Sequence, residues 1–329
     1  MKRLCILLLC WLLLPCPVAA GQEALPLLGV AVYNGEDTFM SSLMAVIQSQ
    51  ADGQARLLMY DSANDQNLQN DQVADMIAQG CEALIINPVD RTAAIYLIQM
   101  AMRHDLPIVL INREPLGSDL ALYDRAYYVG IDPKQQGLLQ GQMAAAYFLS
   151  HPEADINGDG KMQLVLLRGQ PGHQDTELRS VYAIRALQDA GVQTELLSEE
   201  SAMWERTAAQ ERMSAMLSQF AGRIECVIAN NDDMALGAID ALKAAGYFDG
   251  HRFIPVLGVD ATAPAMEALS QGALYATVYN NALEQGQAAL RLALLLAQSE
   301  AVTPQNFPYV MNDKVVYIDS DARMAEDAP

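Results

Sequence analysis

Short apolar runs alternate with longer segments of helical period along most of this chain. The apolar runs predict ten strands, at residues 28–33, 56–60, 83–87, 108–112, 127–130, 163–168, 194–197, 226–229, 255–259 and 276–278. Between them, the helical period predicts helices, among them those at residues 65–79, 92–103, 175–190, 207–220, 234–245 and 282–298. Short, wholly apolar strands that alternate with helices are typical of parallel sheets with helices on both faces.

Ten strands are too many for one domain of this kind, and an acidic loop near Asp155 divides them into two sets of about five. The chain is long enough for two domains of ordinary size. We therefore predict an α/β fold of two doubly wound parallel-sheet lobes. The cleft between two such lobes is the expected position of a ligand.

The N-terminus has the pattern of a secretory signal peptide. Lys2 and Arg3 precede an apolar run at residues 4–14, which is too short to remain in a bilayer as a spanning helix. Small residues then lead to Ala20, and we predict cleavage near that residue, so that residues 1–20 are removed. A lipoprotein signal is an open alternative because Cys16 follows leucines, although Pro15 fits that pattern poorly.

The net charge argues against some classes of partner, and the cysteine content argues against a disulfide. The formal net charge is −20, and loss of Lys2 and Arg3 with the signal peptide takes it to −22. Such a surface repels nucleic acid and anionic lipid. Cleavage leaves only Cys81 and Cys226, which start apolar runs in different lobes, so we expect two separate buried thiols and no disulfide.

Residues 155–163 carry the start of a calcium-binding loop. Asp155, Asn157 and Asp159 place oxygens at the first, third and fifth positions, Gly160 fills the sixth, and Gln163 is the ninth. The twelfth position, a glutamate in an EF-hand, falls inside an apolar strand here, so a closing carboxylate must come from elsewhere. The alternative is an acidic surface turn, because turns favour the same residue types.

Polar and aromatic residues recur where predicted strands end, which is where doubly wound sheets bind ligands. The set comprises Tyr33, Asp37, Phe39, Asn112, Arg113, His173, Asp175, Arg179, Trp204, Asn231, Asp260 and Asn280. Carboxylates and amides pair with hydroxyl groups, and aromatic rings can cover the apolar face of a sugar. Taken singly, some have a simpler explanation, because Asp175 and Asp233 could each cap the following helix.

Motifs of catalysis are missing. The chain has no G-x-S-x-G, H-E-x-x-H, G-x-x-x-x-G-K-[ST] or G-x-G-x-x-G pattern. His173 and Asp175 could form a general-base pair, but no nucleophile is marked nearby. We therefore predict a binding protein and keep a secreted sugar-acting enzyme, such as a glycosidase, as an alternative.

The chain resembles the type I periplasmic binding protein family, and within it the proteins that bind D-galactose and D-glucose. The resemblance covers residues 27–317 and is carried by Asp37-Thr38-Phe39-Met40, Asn112-Arg113-Glu114-Pro115, Gly169-Gln170-Pro171-Gly172-His173-Gln174-Asp175, Ala202-Met203-Trp204, Asn230-Asn231-Asp232 and Gly258-Val259-Asp260-Ala261. Arg113 departs from the lysine common there, and Gly35 and Glu36 alter the first binding loop. A sugar-responsive transcription regulator shares such lobes but would carry a basic helix-turn-helix instead of a signal peptide.

The resemblance implies a sugar site and a metal site. A hexose would lie between Phe39 and Trp204, with polar contacts from Asp37, Asn112, His173, Asp175, Arg179, Asn231, Asp260 and Asn280. Ca²⁺ would be held by Asp155, Asn157, Asp159, the Lys161 carbonyl, Gln163 and, as the missing acid, Glu225. Galactose against glucose preference is left open, and another monosaccharide is an alternative.

The resemblance also implies a domain plan and partners. Three crossings near Ile131, Asn280–Asn281 and Val316 would join an N-terminal lobe (residues 24–131 and 281–316) to a C-terminal lobe (residues 132–280 and 317–329). The protein would act as a periplasmic monomer that delivers its sugar to an ABC importer. A chemoreceptor is an open second partner.

Overall fold

A computed structural model describes residues 24–220, 222–248 and 252–325, and these form two separate β-sheets. The strands are β1 (Leu27–Val32), β2 (Arg56–Asp61), β3 (Ala83–Ile86), β4 (Ile108–Ile111), β5 (Ala126–Ile131), β6 (Lys161–Arg168), β7 (Gln193–Ser201), β8 (Cys226–Ala229), β9 (Val256–Asp260), β10 (Ala276–Tyr279), β11 (Met311–Asn312), β12 (Val315–Ile318) and β13 (Asp321–Met324). The predicted signal peptide, including Cys16 and Ala20, lies outside the described residues.

Ten α-helices accompany the strands in the described part of the chain. They are α1 (Thr38–Ala51), α2 (Gln66–Ala78), α3 (Ala94–Arg103), α4 (Gly117–Leu120), α5 (Pro133–Ser150), α6 (Gln174–Asp189), α7 (Arg206–Gln219), α8 (Asp232–Ala244), α9 (Ala263–Ser270) and α10 (Ala282–Ala297). Short 3₁₀ turns cover Arg91–Ala93 and Pro152–Ala154. None of these helices is long and apolar enough to cross a membrane.

The first lobe is built on a seven-stranded sheet with the order β11-β12-β5-β4-β3-β1-β2. All neighbouring pairs are parallel except the short β11–β12 pair. Helices α1 and α10 cover one face, where Leu43 and Leu292 are fully buried, and α2 and α3 cover the other, where Val73 and Leu97 are fully buried. Successive strand residues point into opposite apolar layers, and Ile85 belongs to the layer under α1 and α10. The sheet is therefore buried on both faces, as is typical of parallel sheets.

The second lobe is built on a six-stranded sheet with the order β13-β10-β9-β8-β6-β7. Its pairs are parallel except for β10 with β13. Met143 of α5 and Leu187 of α6 pack into the core on one face, while Met213 of α7 and Leu242 of α8 pack on the other. The prediction of two doubly wound lobes is confirmed.

The chain passes between the sheets three times, and the third crossing differs from the prediction. The first follows Ile131, which ends β5, and the second follows Tyr279, which ends β10. Val316 does not mark the third, because it pairs with Val129 in the middle of β12 and the strand continues to Ile318. The third crossing therefore lies between Ile318 and β13, and residues 317–318 belong to the first lobe.

The two mature cysteines lie in different lobes, as predicted. Cys81 and Cys226 are both buried and free. Burial raises the pKa of the Cys81 thiol to about 11, and it also raises that of Cys226. Both thiols are therefore protonated near neutral pH and are part of the apolar cores.

Candidate ligand site

All ten predicted sugar-binding residues line one cavity between the lobes. The cavity is narrow, and the centres of water-sized molecules have about 30 Å³ of space in it. Its lining comprises residues from both lobes: Tyr33, Asp37, Phe39, Met40, Asn112, Arg113, His173, Asp175, Arg179, Trp204, Asn231, Asp260 and Asn280.

The wall from the first lobe begins where β1 runs into α1. Asp37 caps α1, because its Oδ1 accepts a hydrogen bond of 2.8 Å from the backbone N–H of Met40. The Tyr33 hydroxyl donates to Asp37 Oδ2 over 2.6 Å. Capping fixes the carboxylate at the helix start and points the first turn, with the buried ring of Phe39, at the cavity.

Asn112 and Arg113 add polar groups after β4. Asn112 has a φ of 59°, a left-handed conformation that asparagine tolerates better than most residues, and its backbone carbonyl accepts from the Tyr128 hydroxyl over 2.8 Å. The Arg113 guanidinium carbon lies 3.8 Å from the centre of the Tyr33 ring. Arg113 is buried, and its Nη2 donates to Gln170 Oε1 of the second lobe over 3.2 Å.

His173 and Asp175 occupy the start of α6. The cap of this helix is His173, whose Nδ1 accepts from the backbone N–H of Asp175 over 3.1 Å. The capping role considered for Asp175 is therefore wrong, and the same holds for Asp233, because Asn231 caps α8. Since Nδ1 of His173 is an acceptor, neutral His173 carries its proton on Nε2.

Arg179 is the charged centre of this wall. Its guanidinium donates to Asp175 Oδ2 over 2.9 Å, to Gln136 Oε1 over 2.8 Å and to the Asn230 carbonyl over 2.8 Å. Asp175 and Arg179 are each 3% exposed, so the pair is an ion pair within the interior. A buried pair with its remaining donors satisfied orients groups toward a ligand, although it is costly to desolvate.

Trp204 enters the cavity because a glycine makes room for it. A Cβ on Gly169 would lie 2.2 Å from Cζ2 of Trp204, so the ring packs directly against the backbone that follows β6. Trp204 has a φ of 71°, and its carbonyl accepts from Asn231 Nδ2 over 3.2 Å. The His173 ring meets the Trp204 ring edge to face, with centres 5.1 Å apart.

Asp260 and Asn280 close the cavity beside the second crossing. Asn280 Nδ2 donates to Asp260 Oδ1 over 3.0 Å, and Gln285 Nε2 donates to Asn280 Oδ1 over 2.6 Å. Behind them, buried Asp232 accepts from Thr277 Oγ1 over 2.6 Å. Gln285 thus orients the Asn280 amide so that its nitrogen, and not its oxygen, points at the Asp260 carboxylate.

Burial dominates the electrostatics of this cavity. It lowers the pKa of His173 well below its ordinary value, with Arg113 and Arg179 acting in the same direction, so His173 is neutral at pH 7. Burial also raises the pKa of Asp175, against the effect of Arg179. Asp260 has its pKa raised well above the ordinary value by burial, and the nearby Asp232 raises it further. Carboxylates in this situation are stabilised by a ligand that donates hydrogen bonds.

The arrangement suits a neutral ligand rich in hydroxyl groups. Carboxylates, amides, a guanidinium and a neutral imidazole surround the space, and two aromatic rings come from opposite lobes. Sequence reasoning placed Tyr33 and Arg113 at strand ends without assigning them to the sugar site, and it missed Met40. A methionine in the first turn of a helix looks like an ordinary core residue, so no sequence signal distinguished it.

The predicted metal loop lies between the Pro152–Ala154 turn and β6. Asp155 Oδ1 accepts from the backbone N–H of Gly158 over 2.8 Å, and Asp155 Oδ2 accepts from that of Gly160 over 2.8 Å. Gly160 has a φ of 76°, which requires a residue without a Cβ. Gln163 Nε2 donates to Asp159 Oδ2 over 2.9 Å. The loop is thus folded around its own carboxylates.

Glu225, selected by the resemblance alone, lies at this loop. Its Oε1 accepts from the backbone N–H of Ile156 over 2.7 Å, and its Oε2 accepts from that of Gln163 over 2.9 Å. Within residues 24–220, 222–248 and 252–325, no group of three His, Cys, Asp or Glu side chains is placed to hold a metal ion. Gln163 Oε1, however, is a buried acceptor with no hydrogen-bond partner.

Comparison with known proteins places the chain in a family. Residues 28–301 match the periplasmic binding protein domain. The D-galactose/methyl-galactoside binding periplasmic protein MglB of Haemophilus influenzae is 42% identical over 294 residues, which cover 88% of this chain and 87% of that protein. This chain belongs to the periplasmic binding protein family.

Two further proteins that resemble this chain are named for different ligands. The ribose import binding protein RbsB of Bacillus subtilis is 29% identical over 263 residues, covering 80% of this chain and 78% of that protein. An ABC transporter solute binding protein from Bacillus halodurans, solved with bound myo-inositol, superposes with a TM-score of 0.78 at 27% identity, covering 94% of this chain and 97% of that chain.

Family membership confirms several predictions. The type I periplasmic binding protein fold is the one observed. Members are receptors for substrates, which confirms a binding protein and removes the enzyme alternative. The periplasm is the compartment of the family, as predicted.

Proposed function

We propose that this periplasmic receptor binds a monosaccharide in the interlobe cavity, delivers it to an ABC importer, and prefers D-galactose or D-glucose. The observation that carries the proposal is the convergence of ten predicted sugar contacts, from both lobes, on one cavity. The similarity to MglB supports galactose among the hexoses. A chemoreceptor as second partner remains part of the proposal, since the same closed surface would be available to it.

In the proposed complex, Phe39 and Trp204 cover the two apolar faces of the pyranose ring. Asp37, Asp175 and Asp260 accept hydrogen bonds from sugar hydroxyls, while Arg179 donates. The amide groups of Asn112, Asn231 and Asn280 serve hydroxyls that both donate and accept. Because groups from both lobes touch the sugar, the ligand favours the closed arrangement over the open one.

Replacement of Asp260 tests the assigned polar contacts. We expect Asp260→Ala to weaken galactose binding at least about tenfold, because it removes an acceptor and leaves Asn280 Nδ2 and a sugar hydroxyl without a partner in a buried site. Calorimetric titration measures the affinity, and circular dichroism checks the fold. The exposed Asp71→Ala, on α2 and away from the cavity, is the control and should bind normally. Normal binding by Asp260→Ala would rule out this contact.

We also propose that the loop binds Ca²⁺ through Asp155, Asn157, Asp159, the Lys161 carbonyl, Gln163 and Glu225. The buried, unpartnered Oε1 of Gln163 supports this, because a cation would satisfy it. Each carboxylate oxygen of Glu225 accepts one backbone N–H and keeps a lone pair for an ion. The pKa of Glu225 is raised by burial, and Asp155 adds to the shift, so a nearby cation would favour its charged form.

Chelation tests the calcium proposal. An ion bound only by the folded state at a hundredfold excess over its Kd stabilises it by about 2.7 kcal/mol. We therefore expect a chelator to lower Tm by several degrees while sugar affinity changes little. Glu225→Gln should remove most of this calcium-dependent shift, whereas Glu211→Gln, on the exposed side of α7, should retain it. Identical melting curves in chelator and in millimolar calcium would mean that the loop is only an acidic turn.

A further inference from the structure

Among the described residues, two hydrogen bonds join the lobes through side chains that do not line the cavity. Thr38 Oγ1 donates to Asp233 Oδ2 over 2.7 Å, and Gln174 Nε2 donates to Glu114 Oε2 over 2.7 Å. Thr38 and Glu114 belong to the first lobe, and Asp233 and Gln174 to the second. A further bond between the lobes, from Arg113 to Gln170, differs from these two because Arg113 lines the cavity.

Thr38 and Asp233 stand at the starts of two helices. Thr38 is the first residue of α1 and follows the cap Asp37, while Asp233 is the second residue of α8 and follows the cap Asn231 by two positions. Both caps line the cavity. The bond between Thr38 and Asp233 therefore ties together the two helix starts that carry ligand-facing groups.

Glu114 is held in place before it meets the second lobe. The Tyr317 hydroxyl lies 3.0 Å from both Glu114 carboxylate oxygens, and Tyr317 belongs to β12, the strand that leads into the third crossing. Its partner Gln174 is the first residue of α6 and follows the cap His173. A fixed carboxylate loses less conformational freedom when it accepts a bond from the other lobe.

We propose that Thr38, Asp233, Glu114 and Gln174 form an interlobe latch that stabilises the closed arrangement whichever sugar is bound. The proposal rests on the function proposed above, in which closure and binding are coupled. Apparent affinity is the intrinsic affinity multiplied by the fraction of the protein in the competent state. Loss of the latch should therefore weaken binding of every ligand by one common factor and accelerate its release.

Two near-isosteric variants test the latch. Thr38→Val and Gln174→Leu each remove a donor to a carboxylate and should each raise Kd on the order of fivefold, since hydrogen bonds to charged acceptors are worth about 1 kcal/mol or more. The factor should be equal for galactose and glucose, and the double variant should show the product, on the order of twenty-fivefold. Thr92→Val, which removes a donor to Asp90 within the first lobe, and Gln188→Leu, which is exposed on α6, are matched controls and should bind normally.

The outcomes separate the latch from the proposed function. Unchanged Kd values in the double variant, or a factor that differs between the two sugars, would overturn the latch, because the second result means that a side chain contacts the ligand. If the unaltered protein binds neither sugar, the proposed ligand is wrong. The latch is then tested by measuring the distance between the lobes without any sugar. A spin label on each lobe should then report a larger long-distance population in the double variant than in the unaltered protein, and equal distance distributions would overturn the latch.

Discussion

Trp204→Ala should weaken galactose binding by about 2–4 kcal/mol, which is roughly 30- to 1000-fold in Kd. The ring packs against the Gly169 backbone and faces the cavity, so its loss removes stacking and admits water to buried polar pairs. Asn231 loses no partner, since it donates to the carbonyl of residue 204. Isothermal titration calorimetry measures the change.

A ring of different size and a distant ring are the controls. Trp204→Phe keeps an aromatic face and should lose less affinity than the alanine variant. Tyr96→Ala removes a ring that is 45% exposed on α3 and should leave the affinity unchanged. Affinity within twofold of the unaltered protein for Trp204→Ala would contradict the placement of a sugar between Phe39 and Trp204.

Arg179→Leu should lower the free energy of unfolding by about 3–5 kcal/mol, because it leaves a buried carboxylate without its cation. Asp175 is only 3% exposed, and Gln136 and the Asn230 carbonyl would lose their donors at the same time. Sugar binding should also be lost. Chemical denaturation measures stability, and calorimetry measures binding.

The same helix supplies the control for Arg179. Arg185 pairs with Asp189 over 3.6 Å, but both side chains are more than half exposed. Exposed pairs of this kind contribute at most about 0.5 kcal/mol, so Arg185→Leu should be nearly neutral. Equal effects of the two variants would mean that the buried pair has no special role in stability.

Most of the fold could be predicted because buried parallel strands have a strong sequence signal. Predicted and observed bounds agree within two residues for the six helices named from the sequence and for nine of the ten predicted strands, and the exception is β7, which extends to Ser201. Helices α1, α4, α5 and α9 and the short strands β11–β13 were not among the elements named. β7 is an edge strand with exposed and half-buried residues, so its second half is polar and gives no apolar run. The position of the third crossing came from the family resemblance, and it falls two residues before the end of β12, which continues to pair as far as Ile318.

The candidate site could be predicted as a set of residues, but not its supporting contacts. Strand ends and the family resemblance selected the ten cavity residues. The roles of His173 and Asn231 as caps depend on where each helix begins, which periodicity determines only to within a residue or two. Gly169 contacts Trp204 from a segment distant in sequence, whereas Gln285 reaches Asn280 across the start of α10, and both contacts are visible only in three dimensions.

The most direct test of the proposed function is a fluorescence titration of the mature protein with sugars. The chain has two tryptophans, Trp11 in the predicted signal peptide and Trp204 in the cavity, so emission from the mature protein reports on the site alone. We predict a saturable one-to-one change with D-galactose or D-glucose, at concentrations at least about tenfold lower than for ribose or arabinose, because a site that fits one ligand leaves buried polar groups unpaired with an analogue. No saturable change with either hexose, or tighter binding of a pentose, would contradict a hexose receptor.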